Sequence, residues 1–466
     1  MTFIADRDLV SFRAELTGAA LVEGDPGYDK ARSVWNGEID RRPAVVAVVA
    51  GPADIVTALA FARERRLEIS VRGGGHNPGG AAVCEGGLAI NLSSLDSVAV
   101  DPAARTARCG GGATLAQLDA ATQEHGLAVP AGTVSHTGVG GLTLGGGFGW
   151  LTSKHGLTID NLISAEIVTA DGRVLRASAA EEPDLFWALR GGGGNFGVVT
   201  EFEFALHPVG PLVDVGFYFW PLDQGTEALK LVRDVIDGLD NGTHAMLVGM
   251  NAPPAPFVPA EHQFAPGYAL VVAGFGDTDR HARIAQHIRD TVPPLFDFVS
   301  PMPYTMLQKL IDDSAPWGSL AYEKALYLDS LTDEVIDVIT EYLPLKSSPM
   351  STMPVTVMGG AFADVDDDAT AFGGSRRAGL AFGVVALAPA PDLLEVDRAW
   401  VRSFWNALLP HATNSGSYVN FMADYEEDRV RAAYGKEKYD RLALIKDVYD
   451  PENVFHRNPN IRPTLR

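Results

Sequence analysis

Cysteine and basic residues are scarce in this chain of 466 residues. Cys84 and Cys109 are its only cysteines, too few for a disulfide framework or a zinc site built on cysteine. Lysine and arginine total 37 against 59 aspartate and glutamate residues, which gives a net charge of -22. Because so acidic a surface repels phosphate backbones and anionic lipid head groups, neither nucleic acid nor a membrane is an expected partner.

Long apolar runs are also missing. No stretch approaches the roughly 18 residues that a membrane span needs. Asp6 and Asp8 lie where a signal peptide would carry basic residues followed by an apolar segment. The sequence therefore predicts a cytoplasmic protein.

Several common cofactor motifs are absent. The dinucleotide pattern G-x-G-x-x-G fails at its third glycine, where Thr143 and Trp150 stand, and Glu437 after Gly435-Lys436 excludes a P-loop. No H-E-x-x-H spacing occurs, and the scattered histidines give no metal-binding pattern. We therefore predict no metal site.

Glycine, in contrast, is abundant and clustered. Of 49 glycines, 19 lie between Val71 and Trp150, and five more lie in Gly191–Gly197. Glycine lacks a Cβ atom and tolerates positive φ, so such clusters mark places where the backbone approaches something closely. The clustering indicates a ligand.

The first cluster follows a β-α-β pattern. A strand over Ala44–Ala50, a helix that begins at Pro52 and a strand over Leu67–Arg72 lead into it. Next, the sequence predicts a strand pair formed by Gly87–Leu92 and Ser97–Asp101.

Further along, Asp171-Gly172 between two apolar runs predicts a β-hairpin. The amino-acid composition changes around His207-Pro208, beyond which glycine clusters largely stop. An aromatic, polar segment begins near Asn414.

The glycine-rich segments resemble one flavoprotein family. Arg72–Gly80, with Ala89–Leu92 behind it, is similar to the flavin-attachment segment of FAD-linked oxidases with the vanillyl-alcohol-oxidase fold, berberine-bridge-enzyme-like branch. Further matching segments follow in the family's order: Pro130–Gly132 with Thr137–Gly141, Gly145–Gly149 with Gly156-Leu157 and Asp160-Asn161, Asp184–Gly193, Asn195–Val199, Tyr418–Asn420, Asp450-Pro451 and Asn458–Ile461. The resemblance covers roughly residues 30–210 and 415–462.

The resemblance implies an α+β fold. A PCMH-type FAD-binding domain would comprise residues 1–210 and 413–466, split around an α+β substrate-binding domain at residues 211–412 with an antiparallel sheet. Backbone amides of the glycine loops would hold the FAD pyrophosphate, which needs no lysine cluster.

The resemblance also implies how FAD is held. His76 takes the place of the histidine bonded to the flavin 8α-methyl group, and the alternative is a loop histidine beside non-covalent FAD. Many relatives have a second, cysteine link where this chain has Val134, so a single link is expected. The other implied FAD-binding residues are Arg72, Gly73, Gly74, Gly75, Asn77, Gly79, Gly132, Thr133, Thr137, Gly138, Gly140, Gly141, Gly147, Gly149, Asp160, Asn195, Gly197, Val199, Tyr418, Asn420 and Asn458.

Three residues are candidates for catalysis. Thr137 stands beside the reactive edge of the flavin in this family, where a small residue goes with oxygen reactivity; it can also simply bond loop backbone. Tyr418 and Asn420 occupy the family's Y-x-N-Y segment, but Phe421 replaces the second tyrosine, a proposed base in relatives. Tyr418 is then a candidate base or a buried, hydrogen-bonded ring.

Within this branch the chain also resembles, closely, the bacterial flavoenzyme type of the enterocin pathway, where a glutamate aligns with Pro354. That difference leaves the substrate open: a secondary metabolite, a sugar, a hydroxylated heterocycle or an alkaloid-like amine. The implied activity is FAD-dependent oxidation of a small organic substrate with O2 as acceptor. A dehydrogenase with another acceptor, a flavin-N5-oxygenating monooxygenase and a flavin-binding protein without turnover are the alternatives.

Overall fold

A computed structural model describes residues 4–413 and 416–464 of the chain. Its N-terminal part contains a four-stranded sheet in the order β1-β2-β4-β3. The strands are β1 (Ala19–Leu21), β2 (Val45–Val48), β3 (Ile69–Arg72) and β4 (Leu88–Asn91), and the helices around them are α1 (Asp6–Glu15), α2 (Tyr28–Arg32) and α3 (Pro52–Arg65). The β-α-β prediction is confirmed, with β3 running directly into the first glycine cluster.

The predicted pairing of the next two strands is wrong. β4 lies between β2 and β3, parallel to both, and all four of its residues are buried. The following strand, β5 (Val98–Asp101), instead pairs with another sheet, and its residues alternate between half-buried and exposed. A strand that is buried along its whole length is typical of a covered parallel position, whereas alternation is typical of a sheet with one face open to water.

A five-stranded antiparallel sheet, in the order β5-β6-β10-β8-β9, follows in the chain. Beyond β5 the strands are β6 (Thr106–Gly110), β7 (Leu127–Ala128), β8 (Leu162–Val168), β9 (Val174–Ser178), β10 (Val198–Ala205) and β11 (His207–Pro208), of which β7 and β11 form a separate pair. The helices are α4 (Leu115–Gln123), α5 (Val139–Leu144), α6 (Thr152–His155) and α7 (Pro183–Leu189). The predicted hairpin at Asp171-Gly172 joins β8 to β9 and is confirmed.

The largest sheet is seven-stranded and entirely antiparallel, in the order β15-β12-β14-β13-β17-β18-β16. The strands are β12 (Leu212–Pro221), β13 (Thr243–Asn251), β14 (Pro266–Gly274), β15 (Phe296–Pro303), β16 (Leu320–Leu328), β17 (Met353–Val357) and β18 (Leu380–Ala388). The helices of this part are α8 (Gly225–Asp237), α9 (Thr278–Thr291), α10 (Tyr304–Leu307), α11 (Asp333–Tyr342) and α12 (Pro391–Leu408). Short 3₁₀ helices lie at Thr158–Asn161, Leu222–Gln224, Ala260–His262, Asp312–Ser314, Leu343–Leu345, Gly360–Phe362, Asp367–Ala369, Leu409–His411 and Val419–Phe421.

The two faces of this sheet have different neighbours. Because side chains alternate along a strand, Leu247, Val355 and Phe382 lie on one face, in a core with the helical residues Ile339 and Phe404. The opposite face covers the glycine loops. The sheet therefore forms one wall of a space whose other wall is the glycine-rich part.

The chain ends by returning to the glycine-rich part through α13 (Glu427–Tyr434) and α14 (Lys436–Tyr449). Leu442 of α14 packs in the same core as Leu185 of α7. The observed mixture of helices and antiparallel sheets agrees with the expected α+β class, while the domain division at residues 210 and 412 stays a prediction. Within residues 4–413 and 416–464, no helix is both long and apolar enough to cross a membrane.

Candidate flavin and substrate site

A cavity of about 960 Å³ lies between the glycine loops and the seven-stranded sheet. Three glycine segments line it on one side: Gly73–Gly75, Gly138–Gly141 and Gly193-Gly194. Met246, Val248 and other largely apolar side chains line the opposite side. A cavity of this size with a mostly apolar lining is typical of a small-molecule or cofactor site.

The first two glycine loops meet backbone to backbone. A Cβ atom built on Gly74 would lie 2.3 Å from the amide nitrogen of Gly138, and one built on Gly138 would lie 2.3 Å from that of Gly74. No side chain fits at either position without moving the backbone. Glycine is thus required here because the two loops form one continuous wall.

Several amides on this wall lack partners. The backbone N–H groups of Gly74, Gly75, His76, Gly140 and Gly141 donate to no residue within the described ranges, and all five residues line the cavity. Convergent free amides bind anionic oxygens, because each supplies a partial positive charge at hydrogen-bond distance. The wall suits a diphosphate without any lysine.

His76 lies against the cavity at the end of the first loop. Its Nε2 is 3.0 Å from Nδ1 of His136, and its ring stacks on Trp35 with centroids 4.9 Å apart. Burial, with a smaller contribution from His136, lowers the pKa of His76 to about 3. A neutral imidazole keeps one nitrogen lone pair free, as bond formation to carbon requires.

Val134 and Thr137 line the cavity on the second loop. Cys84 and Cys109 are buried and free, and neither lines the cavity. That Val134 takes the place of a flavin-linked cysteine stays a prediction. The Thr137 hydroxyl makes no hydrogen bond to another described residue, although its backbone carbonyl accepts one from the Leu115 amide at 2.9 Å. That hydroxyl is available to a bound molecule.

Tyr418 forms a fixed hydrogen-bonded group with Asn420. The Tyr418 hydroxyl oxygen accepts from the Gly147 amide at 2.9 Å and from Nδ2 of Asn420 at 2.8 Å. Burial raises the pKa of Tyr418 to about 12. With both lone pairs engaged and the proton held tightly, Tyr418 is suited to donate a hydrogen bond, not to accept a proton.

Most of the expected site residues meet at this cavity. The residues that line it are His76, Gly73, Gly74, Gly75, Asn77, Gly132, Thr133, Thr137, Gly138, Gly140, Gly141, Gly197, Val199, Tyr418, Asn420 and Asn458. Arg72, Gly79, Gly147, Gly149, Asp160 and Asn195 do not line it.

These six residues instead support the cavity wall. The Arg72 guanidinium donates to the Ser33 carbonyl, and Asp160 accepts two 2.8 Å bonds from the buried Arg376. The side chain of Asn195 joins the third loop to the C-terminal segment, since it donates to the Pro459 carbonyl and accepts from the Ile461 amide.

The three glycines among these six residues act through their backbone amides or through close packing. The amide of Gly147 donates to Tyr418 and that of Gly149 to the Thr152 hydroxyl. A Cβ on Gly79 would meet the Ala423 carbonyl oxygen at 2.8 Å, so glycine is needed there for packing.

Sequence reasoning missed some cavity residues. Trp35 lines the cavity and contacts His76 from 41 positions away in the chain; His136, 60 positions away, does not line the cavity but also contacts His76. No local pattern signals such contacts. Glu323 of β16 also lines the cavity. Among residues 4–413 and 416–464 no three potential ligands group around a metal.

The site fits FAD. Free amides at one wall suit the pyrophosphate, the long apolar cavity suits the isoalloxazine ring, and a neutral imidazole stands at the edge. This geometry is typical of a flavoprotein whose cofactor lies between a glycine-rich domain and a covering sheet.

Comparison with known proteins agrees. An FAD binding domain model matches residues 43–178, and a berberine and berberine-like model matches residues 417–462. (R)-6-hydroxynicotine oxidase of Paenarthrobacter nicotinovorans is 31% identical over 464 residues, which is 96% of this chain and 97% of that protein.

Solved structures give the same result. The crystal structure of 6-hydroxy-D-nicotine oxidase from Arthrobacter nicotinovorans matches with a TM-score of 0.86 and 28% identity, covering 96% of this chain and 98% of that one. Glucooligosaccharide oxidase from Acremonium strictum, which carries 6-S-cysteinyl, 8α-N1-histidyl FAD, matches with a TM-score of 0.84 and 25% identity over 98% of this chain and 100% of its own.

The chain belongs to the berberine-bridge-enzyme-like FAD-linked oxidoreductases. It is an FAD-dependent oxidoreductase that acts on a small organic substrate. Its closer similarity to the enterocin-pathway enzymes stays a prediction.

Proposed function

We propose that this protein is an oxidase that holds FAD through a single covalent bond to His76 and passes electrons to O2. The observation that carries the proposal is the position of His76 at the cavity edge, 3.0 Å from His136 and stacked on Trp35. Because Nε2 is engaged by His136, Nδ1 is the nitrogen left for a bond to the flavin. The low pKa of His76 keeps its ring neutral at neutral pH, so that one ring nitrogen retains a free lone pair.

The residues of this chain support one link and not two. The Acremonium strictum oxidase carries both a cysteinyl and a histidyl bond to its flavin. In this chain the corresponding loop position is Val134, which has no nucleophilic atom, and both cysteines are buried away from the cavity.

FAD, when bound here, would supply the two-electron acceptor for oxidation of the substrate. The seven-stranded sheet would hold the substrate beside the cofactor with a largely apolar face that includes Met246, Val248 and Val385, and this face would exclude water from the reacting carbon. Thr137 stands on the opposite loop wall, where its small side chain leaves space for O2. The substrate that suits such walls is a small molecule with an apolar body.

Acid precipitation of the purified protein tests the covalent link. We expect yellow flavin in the pellet of the wild-type protein and only in the supernatant for His76→Ala. His125→Ala, which removes an exposed histidine, should behave as the wild type. Wild-type flavin that stays entirely in the supernatant would contradict the link, because a covalent bond survives denaturation.

A further inference from the structure

The seven-stranded sheet presents a carboxyl group, that of Glu323, to the cavity. Glu323 is the ionisable side chain among the cavity-lining residues of the seven strands, as far as the structure describes them. It lies on β16, directly opposite Val385 of β18, and shares its face of the strand with Ala321 and Ala325. The neighbouring positions on this face are therefore small or apolar.

No protein group neutralises this carboxyl. Within the described ranges Glu323 takes part in no ion pair and its side chain in no hydrogen bond. The adjacent Lys324 points to the other face, where its Nζ lies 4.7 Å from the Trp405 ring centroid and 3.7 Å from Asp424. Burial raises the pKa of Glu323 to about 8, as expected for a carboxyl without a partner.

Glu323 is also linked to the flavin side of the cavity. The Tyr425 hydroxyl donates to Oδ1 of Asn77 at 2.7 Å, and Asn77 follows His76 in the chain. Glu323 lies close enough to Tyr425 for its charge, after the larger effect of burial, to raise the pKa of that tyrosine. The carboxyl thus stands in the part of the cavity that borders His76.

We propose that Glu323 binds a protonated amine of the substrate, so that the oxidised molecule has an apolar body and one basic nitrogen. This inference rests on the proposed function, because it takes the cavity as the place where the substrate meets FAD. Glu323 is half-buried and its carboxylate has no partner on a largely apolar wall, which is unfavourable; a bound ammonium group supplies both the missing charge and a hydrogen-bond donor. The apolar residues around Glu323 suit the rest of such a molecule.

A matched pair of probes tests the proposal on the oxidised holoenzyme without turnover. 3-Phenylpropylamine and 3-phenylpropanol have the same body, and the first carries an ammonium group where the second carries a hydroxyl. Binding is followed by perturbation of the flavin absorbance under anaerobic conditions. We expect the amine to bind at least about tenfold more tightly than the alcohol.

Glu323→Gln keeps the shape of the side chain and removes its charge. It should weaken amine binding at least about tenfold and change alcohol binding by less than about threefold. Glu323→Asp, which keeps the charge, should retain part of the preference. Asp313→Asn, which removes an exposed carboxyl at the cavity mouth, should change neither constant.

Three results would overturn the proposal: a wild-type protein that does not prefer the amine, amine binding unaffected by Glu323→Gln, or equal weakening of both probes. The flavin content and acid-stable colour of each variant report on the proposed function separately. A yellow holoenzyme with acid-stable flavin but no amine preference would disprove the role of Glu323 alone.

Discussion

His136 Nδ1 lies 3.0 Å from His76 Nε2, so the proposed flavin-binding imidazole has a hydrogen-bond partner at its second nitrogen. Burial lowers the pKa of both rings, so both are neutral at pH 7. A neutral pair at this distance shares one proton, with one ring as donor and the other as acceptor. If His76 donates, its Nδ1 holds the free lone pair, and His136 is placed to take a proton when Nδ1 forms a bond.

Replacing His136 should therefore slow covalent attachment. We expect His136→Ala to retain FAD but to show a lower acid-stable fraction, with attachment to added FAD at least about tenfold slower. The measurement is the time course of acid-stable flavin in apoprotein mixed with FAD.

His287→Ala is the control, because His287 is exposed on α9. Attachment in His136→Ala at the wild-type rate would show that the contact with His76 is only structural.

Tyr418→Phe should reduce stability without removing an ionisation near neutral pH. The change leaves the Gly147 amide without its acceptor, so we expect a loss of about 1–3 kcal/mol in the free energy of unfolding. Because burial raises the pKa of Tyr418 to about 12, tyrosinate absorbance at 295 nm should be the same in both proteins up to about pH 10.

Tyr342→Phe is the comparison for stability, since the Tyr342 hydroxyl makes no hydrogen bond to a described residue. A tyrosinate signal near pH 8 that disappears in Tyr418→Phe would restore Tyr418 as a candidate base.

Local sequence patterns predicted the helices and strands better than they predicted which strands pair with each other. The β-α-β unit and the Asp171-Gly172 hairpin follow from short-range signals and were predicted correctly. Pairing of β4 with β2 and β3 joins segments far apart in sequence, and proximity in the chain wrongly favoured β5.

Only part of the site could be predicted from the sequence. The glycine loops could be predicted because close approach of two backbones needs glycine, as at Gly74 and Gly138. Glu323 was missed because Glu323-Lys324 in a strand places one charge on each face, and the sequence does not say which face is covered. Contacts in space decide it, since Lys324 lies over Trp405.

The buried pair at the end of α14 should be essential for the cofactor wall. Lys446 Nζ is 2.6 Å from Asp450 and also donates to the carbonyls of Asn195 and Phe455, which ties the third glycine loop to the C-terminal segment. Lys446→Met leaves the Asp450 carboxyl buried without this partner. We expect a loss of about 3–5 kcal/mol in unfolding free energy and weaker FAD retention, measured by denaturant unfolding and flavin content.

The same helix supplies the control. Lys436 and Asp440 are also four residues apart with a 2.6 Å contact, but both are exposed. Lys436→Met should change the free energy of unfolding far less than Lys446→Met, because water screens the exposed pair. Equal effects of the two substitutions would contradict the role assigned to burial.

Glu323→Gln should make the substrate-free holoenzyme more stable as pH rises. The pKa of Glu323 is raised from 4.5 to about 8 by burial, so its contribution to stability is complete below about pH 4.5 and is lost as pH rises towards 8. Glutamine has no such dependence. The variant's advantage in unfolding free energy should grow by about 2–4 kcal/mol between pH 5 and pH 8.

Tyr425, the ionisable group whose pKa responds to Glu323, stays protonated across this range because its own pKa is raised. Parallel stability curves for Glu323→Gln and wild type would show that the carboxyl is solvated.

Thr137 should control the reaction of reduced flavin with O2. Thr137 lines the cavity on the loop wall, so a larger side chain there would extend into the cavity; its hydroxyl has no partner in the described chain. Leucine would fill that space, and we expect Thr137→Leu to slow re-oxidation at least about tenfold. The measurement is recovery of absorbance near 450 nm after anaerobically reduced holoenzyme is mixed with air-saturated buffer.

Thr137→Val is the control: it keeps the size of the side chain and removes the hydroxyl, so this variant should re-oxidise like the wild type. Re-oxidation as slow in Thr137→Val as in Thr137→Leu would assign the effect to the hydroxyl, and an unchanged rate in Thr137→Leu would place O2 elsewhere.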